Sequence, residues 1–510
     1  MKVVFRVDAS LNLGSGHVMR CRTLADALRG GGAEVRFVCR EYPGHLIRLL
    51  RDDGYTCAVL PTPEAGGPVR NAGRNAALPG VELSVDARQT LEALGDFRPD
   101  WLVVDHYGLD AAWERHFKTA VERIFVIDDL ADRLHDCDLL LDQNPYVDMD
   151  KRYTGLLPRH ARQLLGPRYA LLRPEFRKAR ASLRARDGTI RRILISFGGV
   201  DLTQETEKAL DALRQLKRQD ITVDVVVGDG NPRADDISAQ CSKMPNVTFH
   251  QQVSNMAELM ARSDFSLGAG GSTHWERCCV GLPAAVTVTA ANQAALTRDL
   301  AERHVVLEAG TSDTMDASRY RSLLNNLPKE LLVALQTACF ALVDGRGVAR
   351  VALSLCDEPV RLRRAALEDA DQALSWRNDI RTRKHSLNRE PVTPAGHLSW
   401  WTRSLGDVGR VLLIGVRCGL DIGVLRYDLG ADSVAVVSVY LDPDLHGQGL
   451  GVALLRAGNQ WMMRHCPRVS ELRAKIVPQN EASRRAFEAA GYRFLRGYWR
   501  WNTNQAMTET

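Results

Sequence analysis

Three times along the chain an apolar run gives way to a glycine-punctuated turn and then to a helical pattern. Val3-Val4-Phe5 leads to Gly14-Ser15-Gly16-His17, Phe265-Ser266-Leu267 leads to Gly270-Gly271-Ser272-Thr273, and Val434 to Leu441 leads to Gly447-Gln448-Gly449-Leu450-Gly451. A strand, a tight turn and a helix start make a place for anionic groups, because the first helical amides lack intrahelical partners and point outward. The first turn is not the dinucleotide fingerprint: no third glycine allows close helix packing, and no Walker lysine follows. His17 and Arg20, three residues apart, share one helix face. The stretch therefore reads either as a base and an anion clamp at one strand end, or as a capped structural turn carrying a surface histidine.

The first two turns sit in an alternation of strands and helices that implies parallel sheets covered by helices. A helix over 18–30 runs into Gly30-Gly31-Gly32, strands follow at 34–39 and 56–60, and 61–82 is a polar, glycine-rich break that suits a lid or an insertion. Strands at 101–105 and 123–128 both end in carboxylates, the edge at which open α/β sheets bind ligands. Asp105, His106, Asp128 and Asp129 are thus placed to face His17, with capping and loop hydrogen bonding as the other use of those carboxylates. After a further strand at 138–142 and a crossover over 160–180, a second series opens with the strand 192–197, Gly198-Gly199 and Asp201. Its strand from Phe265 ends in the second glycine turn, where Ser272 or Thr273 caps a helix carrying Glu276. Amides and hydroxyls at such a start suit a diphosphate, and Glu276 can accept hydrogen bonds from ribose hydroxyls. A strand to Val288 ends near Asn292-Gln293. Two similar halves imply a cleft with a sugar-phosphate compound lying across it.

A chain of 510 residues needs two or three domains. A formal charge of +5 is small for that size and gives no reason to expect nucleic acid. No basic region leads into a continuous apolar segment at the start, so neither secretion nor a membrane span is expected. Eleven scattered cysteines without zinc-like CxxC pairs suggest reduced, packed thiols and a cytoplasmic protein.

Residues 1 to about 345 resemble the UDP-sugar hydrolases of pseudaminic acid synthesis, relatives of the B-type glycosyltransferases. The matching stretches are RVDASLNLGSGHVMR, GPRYALLRPEF, ISFGGVD, GAGGSTHWE and ANQ. The resemblance implies metal-free hydrolysis of UDP-2,4-diacetamido-2,4,6-trideoxy-β-L-altropyranose to UDP and free sugar, with His17 matching the general base. An imidazole can deprotonate water attacking the anomeric carbon, and a helix N-terminus favours its neutral form. Uracil and ribose are then expected near Asn255, Glu276 and Gln293, and the diphosphate near Gly271, Ser272 and Thr273. Asp8, Gly14, Gly16, Arg20, Asp105, Tyr107, Gly199 and Asn292 complete the expected substrate-binding set.

From Val360 onward the pattern changes to an α+β module with hairpin-connected strands at 411–417 and 422–428. Successive amides at 447 to 452 can hold a pyrophosphate. This part, about 360 to 505, resembles the GNAT acetyltransferase superfamily, which implies acetyl-CoA as cosubstrate, bound at Leu445, His446, Gly447, Gln448, Gly449, Leu450, Gly451 and Asn480. His446 stands where Gln or Arg usually opens the loop, and Phe487 where many members carry the tyrosine that protonates the departing thiolate. Tyr492 or water is left for that task, and Tyr492 also reads as a packed aromatic. His397, on one helix side with Trp400, reads as a sugar-binding or proton-accepting residue or as a core histidine.

The expected organisation is a Rossmann-like domain over 1–160, a UDP-binding Rossmann-like domain over 161–345, a linker over 346–359 and a GNAT domain over 360–510. The expected ligands are a nucleotide-sugar and acetyl-CoA, with no metal, prosthetic group, nucleic acid or membrane. The combined expectation is a 4-amino-sugar N-acetyltransferase fused to the hydrolase of the same pathway. Two rivals stand beside it: a glycosyltransferase-like enzyme using another UDP-sugar with a protein N-acetyltransferase, and a nonenzymatic UDP-sugar or acetyl-CoA sensor.

Overall fold

The computed structural model describes the chain except for residues 12, 63–68, 73–75, 80, 217, 219, 431, 496 and 503–510. It divides into two compact units, Met1–Ala352 and Leu353–Thr510.

The first unit holds two parallel sheets. One is built from β1 (Lys2–Val7), β2 (Glu34–Arg40), β3 (Thr56–Leu60), then, past a hairpin of β4 (Val69–Ala72) and β5 (Ala76–Pro79), from β6 (Trp101–Asp105), β7 (Arg123–Ile127), β8 (Leu139–Asp142) and β9 (Arg162–Leu165). Their order is β3-β2-β1-β6-β7-β8-β9. Val3, Val4, Phe5 and Val7 of β1 are all fully buried, as a central strand covered on both faces requires. The helix Gly16–Gly30 packs on this sheet through Val18, Cys21, Leu24, Ala25 and Leu28, an i, i+3, i+4 stripe. The hairpin occupies part of the expected 61–82 break, the rest of which falls largely outside the described residues.

The second sheet comprises β10 (Arg192–Ser196), β11 (Thr222–Val227), β12 (Val247–Gln251), β13 (Phe265–Ala269), β14 (Ala284–Val288) and β15 (Leu307–Thr311), in the order β12-β11-β10-β13-β14-β15. In both sheets the strand order reverses next to the first strand, between β1 and β6 and between β10 and β13. Crevices open beyond the carboxyl ends of strands at such reversals, so the topology alone singles out the residues after Val7, Asp105, Ser196 and Ala269. Two doubly wound halves of this kind make the B-type glycosyltransferase arrangement. One stretch among the described residues, Lys329–Leu355, is long and apolar enough to cross a membrane by length and composition. The fold breaks it into helices Lys329–Leu342 and Gly347–Leu355, with Asp344 paired to Arg350 and Leu332, Leu335 and Cys339 in the core.

The second unit is one mixed sheet of β16 (Arg361–Arg364), β17 (Arg410–Arg417), β18 (Leu420–Leu429), β19 (Val434–Leu441), β20 (Glu471–Ala474), β21 (Arg493–Leu495) and β22 (Tyr498–Asn502), ordered β16-β17-β18-β19-β20-β22-β21. The β17–β18 turn has Cys418 and Gly419 both at positive φ, +47° and +72°, the two-residue turn whose twist matches a hairpin. Cys418 forms a disulfide with Cys356. This corrects the expectation of reduced thiols throughout: two cysteines separated by 62 residues of sequence come together in space, a proximity that spacing does not reveal. The other nine are free, and all but the partly exposed Cys466 are buried.

Candidate functional site

At the β1/β6 crevice the side chains converge on one carboxylate. Asp105 ends β6 and is 1% exposed. It takes His17 Nδ1 at 2.6 Å, and Arg20 through Nε and Nη2, each at 2.6 Å. Burial favours the neutral acid, but the Arg20 charge, then His17, outweigh it and hold the carboxyl well below the usual carboxylate range. An ionised Asp105 only accepts, so His17 carries a hydrogen on Nδ1, and the neutral ring has its lone pair on Nε2. The approach of Arg20 Nη2 to His17 Nδ1 at 3.1 Å is then a contact between two donors rather than a bond. His17 Nε2 has no protein hydrogen-bond partner among the described residues, and Tyr107 meets the ring edge-on, centroids 4.6 Å apart. Arg20 Nη1 reaches Asp129 at 3.3 Å. An oriented imidazole with a free lone pair and a carboxylate behind it is the arrangement of a general base.

Around this centre, Asp8 is buried in the second layer. It pairs with Arg6 at 2.7 Å and accepts the Arg40 amide at 2.6 Å, with His106 Nε2 at 3.2 Å. Burial raises its carboxyl, yet Arg6 and then His106 bring it down to about 2. Asp86 closes the network by accepting from Arg6, Arg40 and Trp113. Asp8 therefore braces the loop after β1, with both of its oxygens engaged by protein. Gly14, at φ +74°, closes the preceding turn on Ser10, and Gly16 opens the helix. Asp128 is tied to Arg133, Ala131 and Tyr153.

The second half presents Gly270-Gly271-Ser272 at the end of β13, with Gly271 at φ +100°. Ser272 precedes the helix Thr273–Cys279 and makes no side-chain cap, and the first helical bonds are His274 N to Gly271 O and Trp275 N to Ser272 O. The amides of Ser272 and Thr273 thus precede the hydrogen-bonded ladder. A Cβ placed on Gly16 would lie 3.9 Å from Ser272 Oγ, so the two glycine turns face each other. Glu276 is partly exposed and 3.5 Å from Arg173; burial pushes its carboxyl up, against the pull of Arg173. Gln293 accepts from the amide and hydroxyl of Thr289, and its side chain crowds Gly270, where a Cβ would come within 3.0 Å. Asn292 and Asn255 are exposed, the latter preceding the helix Met256–Arg262. Gly199 follows β10, and Gly228 packs on its backbone so closely that a Cβ there would meet Gly199 O at 2.6 Å. The structure thus gathers His17, Arg20, Asp105, Tyr107, Gly16 and Ser272 at one cleft, with Thr273, Glu276, Gln293 and Arg173 beside Ser272 on its far wall.

In the second unit, β19 and β20 are parallel and pair only from Val434–Val436 to Glu471–Arg473, while β19 runs on to Leu441. The strands part there, and Tyr440 lies half-buried on the free stretch. The loop beyond carries Gly447 and Gly449 at φ +83° and +70° and enters the helix Leu450–His465. A Cβ would meet nothing within 4 Å at either glycine, so backbone conformation and not space selects them. Leu445 and Leu450 are buried anchors, His446 is exposed, and Gln448 and Gly451 are intermediate. Asn480 accepts the Ser483 amide and so caps the helix Glu481–Ala489. His397 is buried beside Trp400 and Trp401 with Nε2 unpartnered. Tyr492 requires correction as a proton donor: it is 2% exposed and donates to Asn459 Oδ1 at 2.8 Å, with its ring against the buried Phe487 at 4.8 Å. A hydroxyl committed to the core cannot meet a departing thiolate. Among the described residues no group of three or more His, Cys, Asp or Glu side chains is arranged to hold a metal.

Several of these roles escaped sequence reasoning. Asp105 was assigned to substrate and proves to orient His17. Arg173 lay inside a matching stretch, but its pairing with Glu276 spans 103 residues. The Arg6–Asp86–Arg40 network has no local signal at all.

These features define the class: a B-type glycosyltransferase-like pair of halves joined to an acetyltransferase domain. Residues 360–493 match the family model of the acetyltransferase (GNAT) domain. The chain is 20% identical to an uncharacterized protein of Methanocaldococcus jannaschii over 97% of both chains. It is 28% identical to the spore coat polysaccharide biosynthesis protein SpsG of Bacillus subtilis over 38% of this chain and 57% of that one. It is 25% identical to the UDP-2,4-diacetamido-2,4,6-trideoxy-beta-L-altropyranose hydrolase of Campylobacter jejuni over 52% of this chain and 83% of that one. Among solved structures, MurG of Acinetobacter baumannii covers 69% of this chain and 99% of its own at a TM-score of 0.48 and 14% identity. AAC(6')-Ib with ribostamycin and coenzyme A covers 30% and 98% at 0.28 and 20% identity. The chain is thus a homologue, over part of its length, of the altropyranose hydrolase, with a GNAT domain at its C-terminal end.

Proposed function

We propose that the first unit hydrolyses UDP-2,4-diacetamido-2,4,6-trideoxy-β-L-altropyranose to UDP and 2,4-diacetamido-2,4,6-trideoxy-L-altrose. The observation that carries this reading is the His17–Asp105 pair, because it leaves Nε2 as the acceptor at a cleft faced by a glycine turn. His17 Nε2 takes a proton from water as the water oxygen bonds to the anomeric carbon. The bond from that carbon to the diphosphate oxygen breaks, and UDP leaves with the electron pair. Ser272 and Thr273 amides hold the diphosphate, Glu276 the ribose and Gln293 the uracil side. UDP is a good leaving group, so no strong general acid is needed.

The second unit, in this reading, acetylates the 4-amino group of UDP-4-amino-4,6-dideoxy-N-acetyl-β-L-altrosamine with acetyl-CoA, supplying the hydrolase substrate. The amine attacks the thioester directly, which requires proximity and an unprotonated nucleophile. The parting of β19 from β20 and the glycine loop at its mouth support acetyl-CoA binding there. The homologous hydrolase and spore coat polysaccharide protein support nucleotide-sugar processing. The test supplies the amino-sugar and acetyl-CoA and follows CoA, UDP and free sugar by mass spectrometry. The expected sequence is CoA first, then UDP and sugar together. CoA without UDP would remove the hydrolase half of the proposal, and transfer of the sugar to an acceptor would replace it.

A further inference from the structure

We infer that Arg277, a guanidinium sealed beneath the glycine turn of the second sheet, provides a fixed positive charge for the diphosphate of a bound UDP group; it is a positioning residue for the leaving group, and the inference rests on the diphosphate placement proposed above. Arg277 is 2% exposed, one turn inside the helix Thr273–Cys279 that follows Ser272. Its hydrogen-bond acceptors among the described residues are Ala269 O at 2.9 Å and His274 Nδ1 at 3.3 Å, and Nε is buried with none. Among the described residues no carboxylate touches it: the neighbouring Glu276 is turned to Arg173.

Other buried arginines of this unit are treated differently. Arg6 and Arg40 are neutralised by Asp8 and Asp86. Arg186 carries no counter-ion, but its donors are satisfied by the carbonyls of Ser263, Val280, Gly281, Met260 and Ala261. Arg277 has neither a carboxylate nor a full set of carbonyls, and a buried charge left so is costly. Burial accordingly pushes its proton affinity down. His274 repeats the pattern. It is fully buried, burial and Arg277 hold it well below the usual histidine range, and the nitrogen left to carry its hydrogen, Nε2, has no acceptor.

The position of the guanidinium says which anion would offset this. It is bonded to the last residue of β13, and the next residue, Gly270, begins the turn that presents the outward amides. Space for it is made by Gly268, where a Cβ would fall 2.6 Å from Arg277 Nη1 and 2.6 Å from Ser196 O. A pre-paid positive charge in a poorly solvated site favours the form of the ligand that carries more negative charge at that point, which is UDP after the sugar has left. The charge acts through the turn and need not touch the ligand.

The test is calorimetric titration of the full chain with UDP and with uridine. Wild-type protein is expected to bind UDP more tightly than uridine. Arg277→Gln should weaken UDP by about tenfold, the scale of a unit charge a few ångströms away in a partly screened site, and leave uridine within about twofold. Arg277→Lys, which keeps the charge, should recover most of the difference. Equal weakening of both ligands, or of neither, overturns the inference while leaving the placement intact. Wild-type protein that binds UDP no better than uridine overturns the placement itself. Should Arg277→Gln not fold, the Nε–H resonance of Arg277 in wild-type protein decides: it shifts on adding UDP and not uridine, and an unmoved signal refutes the role.

Discussion

Replacing Asp105 by Asn tests whether His17 works as an oriented base. In the wild type the carboxylate receives His17 Nδ1 and two Arg20 donors, each at 2.6 Å, with Cys21 Sγ at 3.4 Å. An amide keeps the shape but loses the charge and one acceptor. Its NH2 can donate to Nδ1, which moves the imidazole hydrogen to Nε2 and removes the lone pair that takes the proton from water. General-base assistance contributes about 10²–10⁴ in rate, so kcat should fall by that range. Arg20 would keep only Asp129, at 3.3 Å, as a carboxylate partner. Breaking one side of a buried ion pair costs about 3–5 kcal/mol, so a lowered melting temperature accompanies the loss. UDP affinity should be unchanged, because the residues assigned to the nucleotide belong to the other half of the unit. The assay is UDP release under saturating substrate, with UDP affinity measured by calorimetry and folding by circular dichroism. A folded Asp105→Asn protein with kcat within about threefold of wild type would refute the orientation argument.

Other expectations follow from the same geometry. Tyr492→Phe should leave acetyl transfer within about twofold while costing about 1 kcal/mol of stability in the second unit, since it strands Asn459 and removes no thiolate donor. A large loss of acetyl transfer with normal coenzyme A binding would restore the catalytic role. Cys418→Ser opens a 62-residue link and should cost the second unit about 2–4 kcal/mol in urea denaturation, with reductant acting only on the wild type. No change on reduction would show that the link is not formed in solution. Asp142 is pushed up to about 7, by burial first and then by Asp129. The folded protein therefore holds a proton that the unfolded chain releases near pH 4, and stability is lost as pH rises from about 4 to about 7, by up to about 4 kcal/mol. Asp142→Asn should reduce the fall in urea midpoint between pH 5 and pH 8, and an unchanged slope would count against the assignment.

The opening strand, the helix ending at the triple glycine, and the alternation of elements were legible because period, capping and glycine placement are local signals. So was the α+β character of the last third, from its hairpin-connected strands and its glycine loop. The sheet order was not. β9 adds a strand beside β8 from within the expected crossover, because a four-residue strand leaves little pattern. At the site, residue types were readable but not their division of labour. Asp105 and Asp8 are both carboxylates at strand ends, yet one holds the histidine and the other is locked between Arg6 and a backbone amide. That difference is set by partners as much as 88 residues away. The Cys356–Cys418 link and the inward Tyr492 belong to the same category, since a side chain's use depends on what packs against it.

The central claim is that water attacks the anomeric carbon and that UDP departs whole. Hydrolysis of UDP-2,4-diacetamido-2,4,6-trideoxy-β-L-altropyranose in H₂¹⁸O, with mass analysis of the released UDP, tests it most directly. UDP free of ¹⁸O is expected, because the sugar–oxygen bond breaks and the original oxygen leaves on phosphorus. Release of UDP carrying one ¹⁸O would place the attack at phosphorus and contradict it.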